Sequence, residues 1–267
     1  MKHASTTEAA NGGYATLNGG TTGGIGGSTV TATTLAALTS AAAGDTAKII
    51  LVSGTITGNA VAAVGSNKSI LGKTGSIALV GINLRVNSKN NVIIRNLKIS
   101  KVLADTGDAI GIQAAKNVRV DHVDLFSDMG HDKASLVGHS DSNSAEDKGH
   151  PTITYKHNYW KNINSGTPSI RFDTGHIYNN YFLTVNDGIN TRQGAQVLVQ
   201  NNVFEDTGDA LYSTDAGYAV ATGKDFDDSG NTALVGAISS VPYSYSPTAT
   251  ASTKAYVIAN AGAILTF

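Results

Sequence analysis

The feature that most constrains the fold of this chain is a strand-like segment that recurs along it. Each copy alternates Val, Ile or Tyr with polar residues, reaches an Asn or a His, and continues with another apolar pair. The copies are Asn91–Ser100, Asn117–Ser127, Thr152–Asn162, Gly175–Val185 and Gln196–Asp206. Their marker residues, separated by 26, 35, 22 and 22 positions, are Asn96, His122, His157, Asn179 and Asn201. Two equal intervals of 22 residues indicate a structural repeat.

The repeat predicts coils of short strands stacked on one another. Alternation of apolar and polar residues predicts a strand, and the recurrent polar residue predicts a tight corner before the next strand. A coil of about 22 residues fits one rung of a β-helix with three strands and three turns. Equivalent Asn residues of such rungs can form hydrogen-bonded ladders. An antiparallel sandwich also accommodates short strands, but it requires no fixed period. We therefore predict an all-β, single-stranded parallel β-helix.

We predict one β-helix domain over residues 1–267, with the stacked rungs over residues 46–216. Residues 1–45 are expected to form an N-terminal segment and cap. The capping helix is predicted within Thr31–Ala43, which has Ala and Leu at helical spacing and is followed by Gly44. Residues 217–267 are rich in Ser, Thr and Ala, and we expect them to form an irregular tail that wraps the outside of the stack.

The charge balance argues against long-range attraction to polyanions. The chain has 19 Lys and Arg against 20 Asp and Glu, and its formal net charge of −1 gives no pull toward nucleic acid or an anionic membrane. No apolar run reaches the roughly 20 residues that a membrane span requires. We expect neither nucleic acid nor membrane as a partner. Because Met1–Ala4 opens without the apolar segment of a signal peptide, a secreted parent would be represented here in mature form.

Charged residues within the repeats are the candidates for ligand binding. Lys133, Arg171 and Arg192 lie where a coil surface can present them to a polyuronate, although ordinary surface charge also explains them. Asp121 and Asp124 belong to the phrase VDHVDLFSD, whose carboxylates suit a hard cation such as calcium. Calcium needs six to eight oxygens, more than this phrase supplies, so a solvated acidic edge is the competing interpretation.

The other polar and aromatic residues of the repeats are predicted to be structural. His122 and His157 share a phase with the corner Asn residues, and neither has a second His or Cys at ligand spacing. His139-Ser140-Asp141 has the composition of a catalytic triad, but adjacent residues point in different directions. The aromatic residues are expected to pack between rungs rather than to stack on sugars. They are Tyr155, Tyr159, Trp160, Tyr178 and Tyr181.

Several longer phrases of the chain resemble the family 1 pectate lyases. They run in family order between about Asn11 and Tyr218, and they are VDHVDLFSD, HDKASLVGHSDSN, GHPTITYKHNYWKN, TPSIRF, GHIYNNYF and NDGINTRQGAQVLVQNNVF. The resemblance implies a right-handed parallel β-helix that cleaves polygalacturonate or pectin outside the cell by calcium-assisted β-elimination. In that reaction a base removes the proton from C5, and calcium with nearby cations stabilises the charge left on the uronate carboxylate.

The resemblance also implies roles for individual residues. Asp121 matches a calcium ligand, and Asp124 is a further metal candidate. Lys133 matches the lysine that contacts the substrate carboxylate. Arg171 matches the family's second arginine, and Arg192 is a further candidate for substrate binding.

Two parts of the family pattern are missing from this chain. Family members carry an Arg, the proposed base, directly before the TPSIRF-like phrase, where this chain has Gly166. They also carry an acidic segment that completes the calcium site, followed by a further strand, where this chain runs directly from Ser127 to Lys133. About one rung is therefore predicted to be absent, and a solenoid can lose a whole rung because its contacts are between nearest neighbours. Such a loss, together with loss of the base, is more typical of an engineered deletion or a decayed paralogue than of routine divergence.

We therefore predict a secreted, monomeric pectate lyase-type protein with weak calcium binding and weak or absent activity. Loss of a catalytic base costs a factor of about 10²–10⁴. The alternative is a non-catalytic shortened β-helix, either a scaffold or a polygalacturonate-binding protein that retains Lys133, Arg171 and Arg192. A third hypothesis is that Lys133 replaces the missing base, which the variant Lys133→Ala would test.

Overall fold

Parallel strands, hydrogen-bonded from one coil of the chain to the next, dominate the structure. The computed structural model describes residues 2–103, 105–126, 134–138, 140–149 and 151–267. Two units emerge from the contacts within the chain, residues 1–130 with 262–267 and residues 131–261. The assignment of residues 1–267 to one domain stays a prediction. Within the described ranges, no helix is long and apolar enough to cross a membrane.

The first unit is built from two five-stranded parallel sheets. With strands numbered along the chain, its members are β1 (Lys2–His3), β2 (Ser28–Ala32), β3 (Lys48–Val52), β4 (Ile56–Ala63), β5 (Lys68–Gly72), β6 (Ala78–Asn87), β7 (Asn90–Arg95), β8 (Lys98–Ser100), β9 (Ile110–Gln113), β10 (Lys116–Asp121), β11 (Asp124–Phe126) and β22 (Leu265–Thr266). One sheet has the order β10-β7-β5-β3-β2, and the other has the order β11-β8-β6-β4 with β9 paired to β6. β1 pairs with β22.

A helix lies where the sequence predicts one, but it is shorter than the predicted segment. α1 spans Leu35–Ala42, and the Thr34 side chain accepts a hydrogen bond from the Ala37 amide at its N-terminus. Thr31 and Ala32 are instead the last residues of β2, where they pair with β3. The β-branched Thr residues at this point favour the strand, so the helix begins only after them.

The second unit has the same construction. Its members are β12 (Leu136–Val137), β13 (Thr152–Lys156), β14 (Tyr159–Ile163), β15 (Ser169–Arg171), β16 (Thr174–Tyr178), β17 (Tyr181–Arg192), β18 (Gln196–Gln200), β19 (Val203–Thr214), β20 (Tyr218–Thr222), β21 (Leu234–Val235), and the helices α2 (Ser144–Asp147) and α3 (Thr250–Asn260). One sheet has the order β12-β15-β17-β14 with β19 paired to β17, and the other has the order β13-β16-β18-β20-β21. The long strand β17 pairs with β14 through its first half and with β15 through its second, so it serves two faces of a coil.

The marker residues of the repeat are the corners of the coils. Each of them has a φ between +50° and +58°, the left-handed conformation that turns the chain between two strands. One residue later, Asn158, Asn180 and Asn202 form a ladder in steps of 22 residues. The Asn180 Oδ1 atom accepts from the Asn158 amides, and Asn202 Oδ1 accepts from Asn180 in the same way. The predicted corners are therefore confirmed, whereas the Asn ladder is formed by the residues that follow the corners rather than by the corner residues themselves.

Aromatic side chains stack between successive coils of the second unit. The Trp160, Phe182 and Phe204 rings lie nearly parallel, with centroids 6.0 and 4.3 Å apart. Tyr159 stacks on Tyr181 in the same manner at 5.0 Å. Packing between rungs, as predicted for these aromatic residues, is what the structure shows.

Within each unit, strand pairing extends beyond the predicted limit. In the first unit it begins at β2, before residue 46, and in the second it continues past residue 216 into β20, which pairs with β18. The small Ala residues of β20 weaken the apolar signal that identifies a strand. The tail is also less irregular than predicted. It contains α3, whose Thr253 and Val257 are fully buried.

Candidate functional site

Arg171 and Arg192 form a pair on neighbouring coils of the second unit. Arg171 ends β15, Arg192 ends β17, and the two residues are direct partners in the parallel register. Residues in register point to the same face of a sheet, with their backbones one strand spacing apart. The structure therefore brings together the two arginines that the sequence identified as candidates.

Asp141 joins the two guanidinium groups. Its Oδ1 atom accepts a hydrogen bond from Arg171 Nε at 2.6 Å, and its Oδ2 atom accepts one from Arg192 Nη2 at 2.8 Å. Each arginine has a second contact, because Arg171 Nη1 donates to the Gly138 carbonyl at 3.3 Å and Arg192 Nη2 donates to Asp215 at 3.0 Å. Asp141 lies in a loop outside the repeats, so periodicity gave no signal for its role.

A row of polar side chains lies two residues before the arginines on the same strands. Ser169, Asn190 and Tyr212 are register partners on β15, β17 and β19. The Ser169 hydroxyl donates to Asn190 Oδ1 at 3.0 Å. Because side chains alternate along a strand, this row shares the face of Arg171 and Arg192. The strand pattern of the repeats gave no signal that distinguishes this row.

Tyr212 is held in its protonated form. Burial raises the pKa of its phenol, Asp187 and Asp209 raise it further, and Arg192 lowers it. Asp187 and Asp209 are themselves partners in the parallel register. Tyr212 can therefore donate a hydrogen bond at neutral pH, beside the positively charged Arg192.

Gly166 lies in the turn that precedes β15. Its φ of +61° is in the left-handed region, and its carbonyl accepts a hydrogen bond from the Ser135 amide at 2.9 Å. The position that the resemblance assigns to the base therefore contributes only backbone groups. A larger residue there would have to adopt a strained conformation.

Asp121 lies at the end of β10, in the first unit, and is surrounded by cations. Its Oδ2 atom is 2.6 Å from Arg95 Nε and 2.8 Å from Arg119 Nη2, and its Oδ1 atom is 2.8 Å from His122 Nδ1. Glu8 closes the network by pairing with both arginines. Burial raises the pKa of Asp121, but the hydrogen bond from His122 and the charges of Arg119, His122 and Arg95 outweigh it and hold the pKa well below its usual range.

These contacts do not fit a calcium site. Calcium needs free carboxylate oxygens, whereas both oxygens of Asp121 already contact positively charged or donor groups. Asp124 lies in a different sheet, where its carboxylate is 3.8 Å from Lys98 and accepts from the Ala263 amide at 3.3 Å. Among the residues that the structure describes, no three His, Asp or Glu side chains converge as metal ligands. We derive no catalytic step through calcium.

Some candidates lie outside the described residues. Lys133 is one of them, as is the junction from Ser127 to Lys133 where a rung is predicted to be missing. His139 is another, so the triad-like phrase is described only through Ser140, which contacts Ser142, and Asp141, which contacts the arginines. The corner residue His157 packs on Tyr256 with ring centroids 4.5 Å apart.

Comparison with known proteins gives a consistent result. A family model described as pectate lyase matches residues 1–129 and 125–264. Pectate lyase A from Aspergillus niger is 52% identical over 295 aligned positions, which cover 100% of this chain and 91% of the relative. Probable pectate lyase A from Neosartorya fischeri is 52% identical over 284 positions, covering 96% of this chain and 88% of the relative.

Solved structures extend the likeness to the fold. The chain is similar to the crystal structure of pectate lyase Bsp165PelA from Bacillus sp. N165 in complex with trigalacturonate, with a TM-score of 0.82, 29% identity and coverage of 95% and 98% of the two chains. The thermostable pectate lyase PL 47 gives a TM-score of 0.80 at 22% identity, over 97% and 98% of the two chains. The predicted parallel β-helix is thereby confirmed.

Proposed function

Because this chain belongs to the pectate lyase family, we propose that it recognises polygalacturonate and that its calcium-assisted β-elimination is weak or absent. The observation that carries recognition is the register pair of Arg171 and Arg192, beside the polar row of Ser169, Asn190 and Tyr212. Guanidinium groups match carboxylates in shape and charge, and the polar row offers partners for sugar hydroxyls. Extracellular action follows from the family and is part of the proposal.

Four observations support weak or absent turnover. Gly166 provides no side chain where the family has its proposed base, and Asp121 is neutralised by two arginines. The alignment with the Aspergillus niger relative spans 295 positions although this chain has 267 residues, so at least 28 positions of the alignment have no counterpart here. The two matches of the family model overlap at residues 125–129, beside the junction where a rung is predicted to be missing.

The same observations favour a second candidate function, a non-catalytic galacturonan-binding protein. The arginine pair and its polar row remain, whereas the groups that the family uses for proton removal and calcium binding are replaced or already engaged. The two candidates differ only in whether product forms. In both, Arg171 and Arg192 bind the substrate's carboxylates.

Calorimetric titration with trigalacturonate tests recognition. We expect the unmodified chain to bind, and Arg192→Gln and Arg171→Gln each to weaken binding about tenfold or more, because each removes a charged hydrogen-bond donor. Lys161→Gln, at an exposed residue of β14, is the control that lowers the net charge equally and should leave binding unchanged. Failure of the unmodified chain to bind would refute the proposed ligand.

A further inference from the structure

The Asp141 carboxylate is placed as a carboxylate ligand would be. It spans two guanidinium groups on adjacent strands, with one oxygen on each, at 2.6 and 2.8 Å. The Asp141 side chain is 47% exposed, whereas those of Arg171 and Arg192 are 10% and 21% exposed. The anion therefore lies on the solvent side of the two cations, which is the side from which a ligand approaches.

The two arginines do not depend on Asp141 for their position. Arg171 keeps its donation to the Gly138 carbonyl and its packing, since a Cβ atom on Gly138 would lie only 2.9 Å from Arg171 Cβ. Arg192 keeps its ion pair with Asp215. Because both arginines stay anchored without Asp141, another anion can take the place of its carboxylate.

Asp141 also reduces the charge that the site offers. A carboxylate within hydrogen-bond distance of both guanidinium groups offsets much of their attraction for a second anion. The donors Arg171 Nε and Arg192 Nη2 that face Asp141 become available only when it moves or loses its charge.

From this geometry we infer that Asp141 is an internal competitor that occupies, in the free protein, the position of a uronate carboxylate of the ligand. This inference rests on the proposed function, because it takes the arginine pair to be the carboxylate site. Ligand binding then requires the Asp141 side chain to release at least one arginine. Asp141 is accordingly a specificity-determining residue, because a weakly charged ligand binds the arginines too weakly to displace it.

Trigalacturonate titrations of Asp141→Asn and of the control Asp215→Asn test the inference. Asp141→Asn keeps the size of the side chain and removes its charge, so we expect binding about tenfold tighter than in the unmodified chain. Asp215 contacts only Arg192 of the pair, and its variant should change affinity less. In the background of Arg171→Gln the gain from Asp141→Asn should shrink to less than about twofold.

The outcomes separate the inference from the proposed function. If the unmodified chain binds trigalacturonate and Asp141→Asn binds equally or more weakly, Asp141 positions the arginines and the competitor role is wrong, while the proposed ligand stands. If neither protein binds, the proposed ligand fails and the inference fails with it. Circular dichroism melts identify a variant that is misfolded, and Asp141→Ser then replaces it as a second neutral variant.

Discussion

At the scale of single residues, His176 is a fully buried imidazole with a hydrogen-bond partner on each ring nitrogen. Its Nε2 atom lies 3.0 Å from Gln200 Oε1, and its Nδ1 atom lies 2.5 Å from the Tyr243 hydroxyl. Burial lowers the pKa of His176 to about 4, against the opposing effect of the Gln200 hydrogen bond. The segment around Tyr243 is thus fastened to β16 through a group that titrates in mild acid.

The shift predicts acid sensitivity in a defined window. The unfolded chain protonates His176 near pH 6.5 and the folded chain near pH 4, so the free energy of unfolding falls as the pH drops between these values. The loss through this group is about 1.4 kcal/mol per pH unit, roughly 3 kcal/mol in all. Urea melts at a series of pH values give the free energy of unfolding of the unmodified chain and of His176→Gln. Plotted against pH, the two free energies should differ in slope between pH 6.5 and pH 4 and run parallel above pH 7. If the two plots run parallel over the whole pH range, the role given to His176 is contradicted.

Lys68 is a second buried group that sequence periodicity could not interpret. It lies in β5 with its side chain fully covered, and its ammonium donates to the carbonyls of Gly44, Thr46 and Ser66 at 2.6, 2.8 and 2.9 Å. Burial lowers its pKa, while Asp45 raises it. The ammonium holds the loop after α1 against the start of β5.

Removal of this ammonium should destabilise the first unit. Lys68→Met keeps the apolar stem but leaves three carbonyls without their donor, and we expect a loss of about 2 kcal/mol in the free energy of unfolding. Lys89→Met is the control, because its ion pair with Asp45 is solvent-exposed and should contribute little to stability. Equal losses in urea denaturation of the two variants would contradict the role given to Lys68.

At the scale of elements, the Asn ladder links the coils of the second unit. Asn180, its middle member, is fully buried and donates from Nδ2 to the carbonyls of Tyr155 and Tyr178 as well as to Asn202. Asn158 lies at the end of the ladder and is only partly buried. The middle and end positions therefore differ in how many buried partners each one satisfies.

Truncation of the ladder should depend on position. Asn180→Ala leaves buried donors and acceptors on both neighbouring coils without partners, and we expect it to cost about 3 kcal/mol of stability. Asn158→Ala, the matched control, should cost about 1 kcal/mol, because water can replace the bonds of a partly exposed residue. Thermal melts of the two variants measure the difference. A similar loss of stability in both would show that the middle and end positions of the ladder contribute equally.

The elements also show why part of this architecture follows from sequence. The corner residues Asn96, Asn179 and Asn201 could be predicted because each coil repeats the same backbone turn. The Asp141 bridge could not, because its loop belongs to no repeat and its partners Arg171 and Arg192 lie 30 and 51 residues away. Periodicity identifies the stacked surface, but it does not identify contacts that loops make with that surface.

At the scale of the whole molecule, the family assignment and the predicted loss of a rung lead to opposite expectations. The fold matches pectate lyase structures over nearly the entire chain, so ligand recognition is expected to persist. We propose that turnover does not persist, because Gly166 provides no side chain and both oxygens of Asp121 contact cations or donors. The central claim is that this protein has the lyase fold with an incomplete catalytic centre.

The most direct test is the ultraviolet absorbance of unsaturated product from polygalacturonate, measured with calcium and with chelator. The proteins to compare are the unmodified chain, Gly166→Arg, and Gly166→Arg with the segment predicted to be absent, taken from the Aspergillus niger relative, inserted between Ser127 and Lys133. Gly166→Arg also costs roughly 1–2 kcal/mol of stability through its left-handed backbone, so a melt accompanies each assay. We predict that the first two proteins form product at least about a hundredfold more slowly than the relative, and that only the third recovers calcium-dependent activity. Calcium-dependent product from the unmodified chain at the relative's rate would contradict the claim.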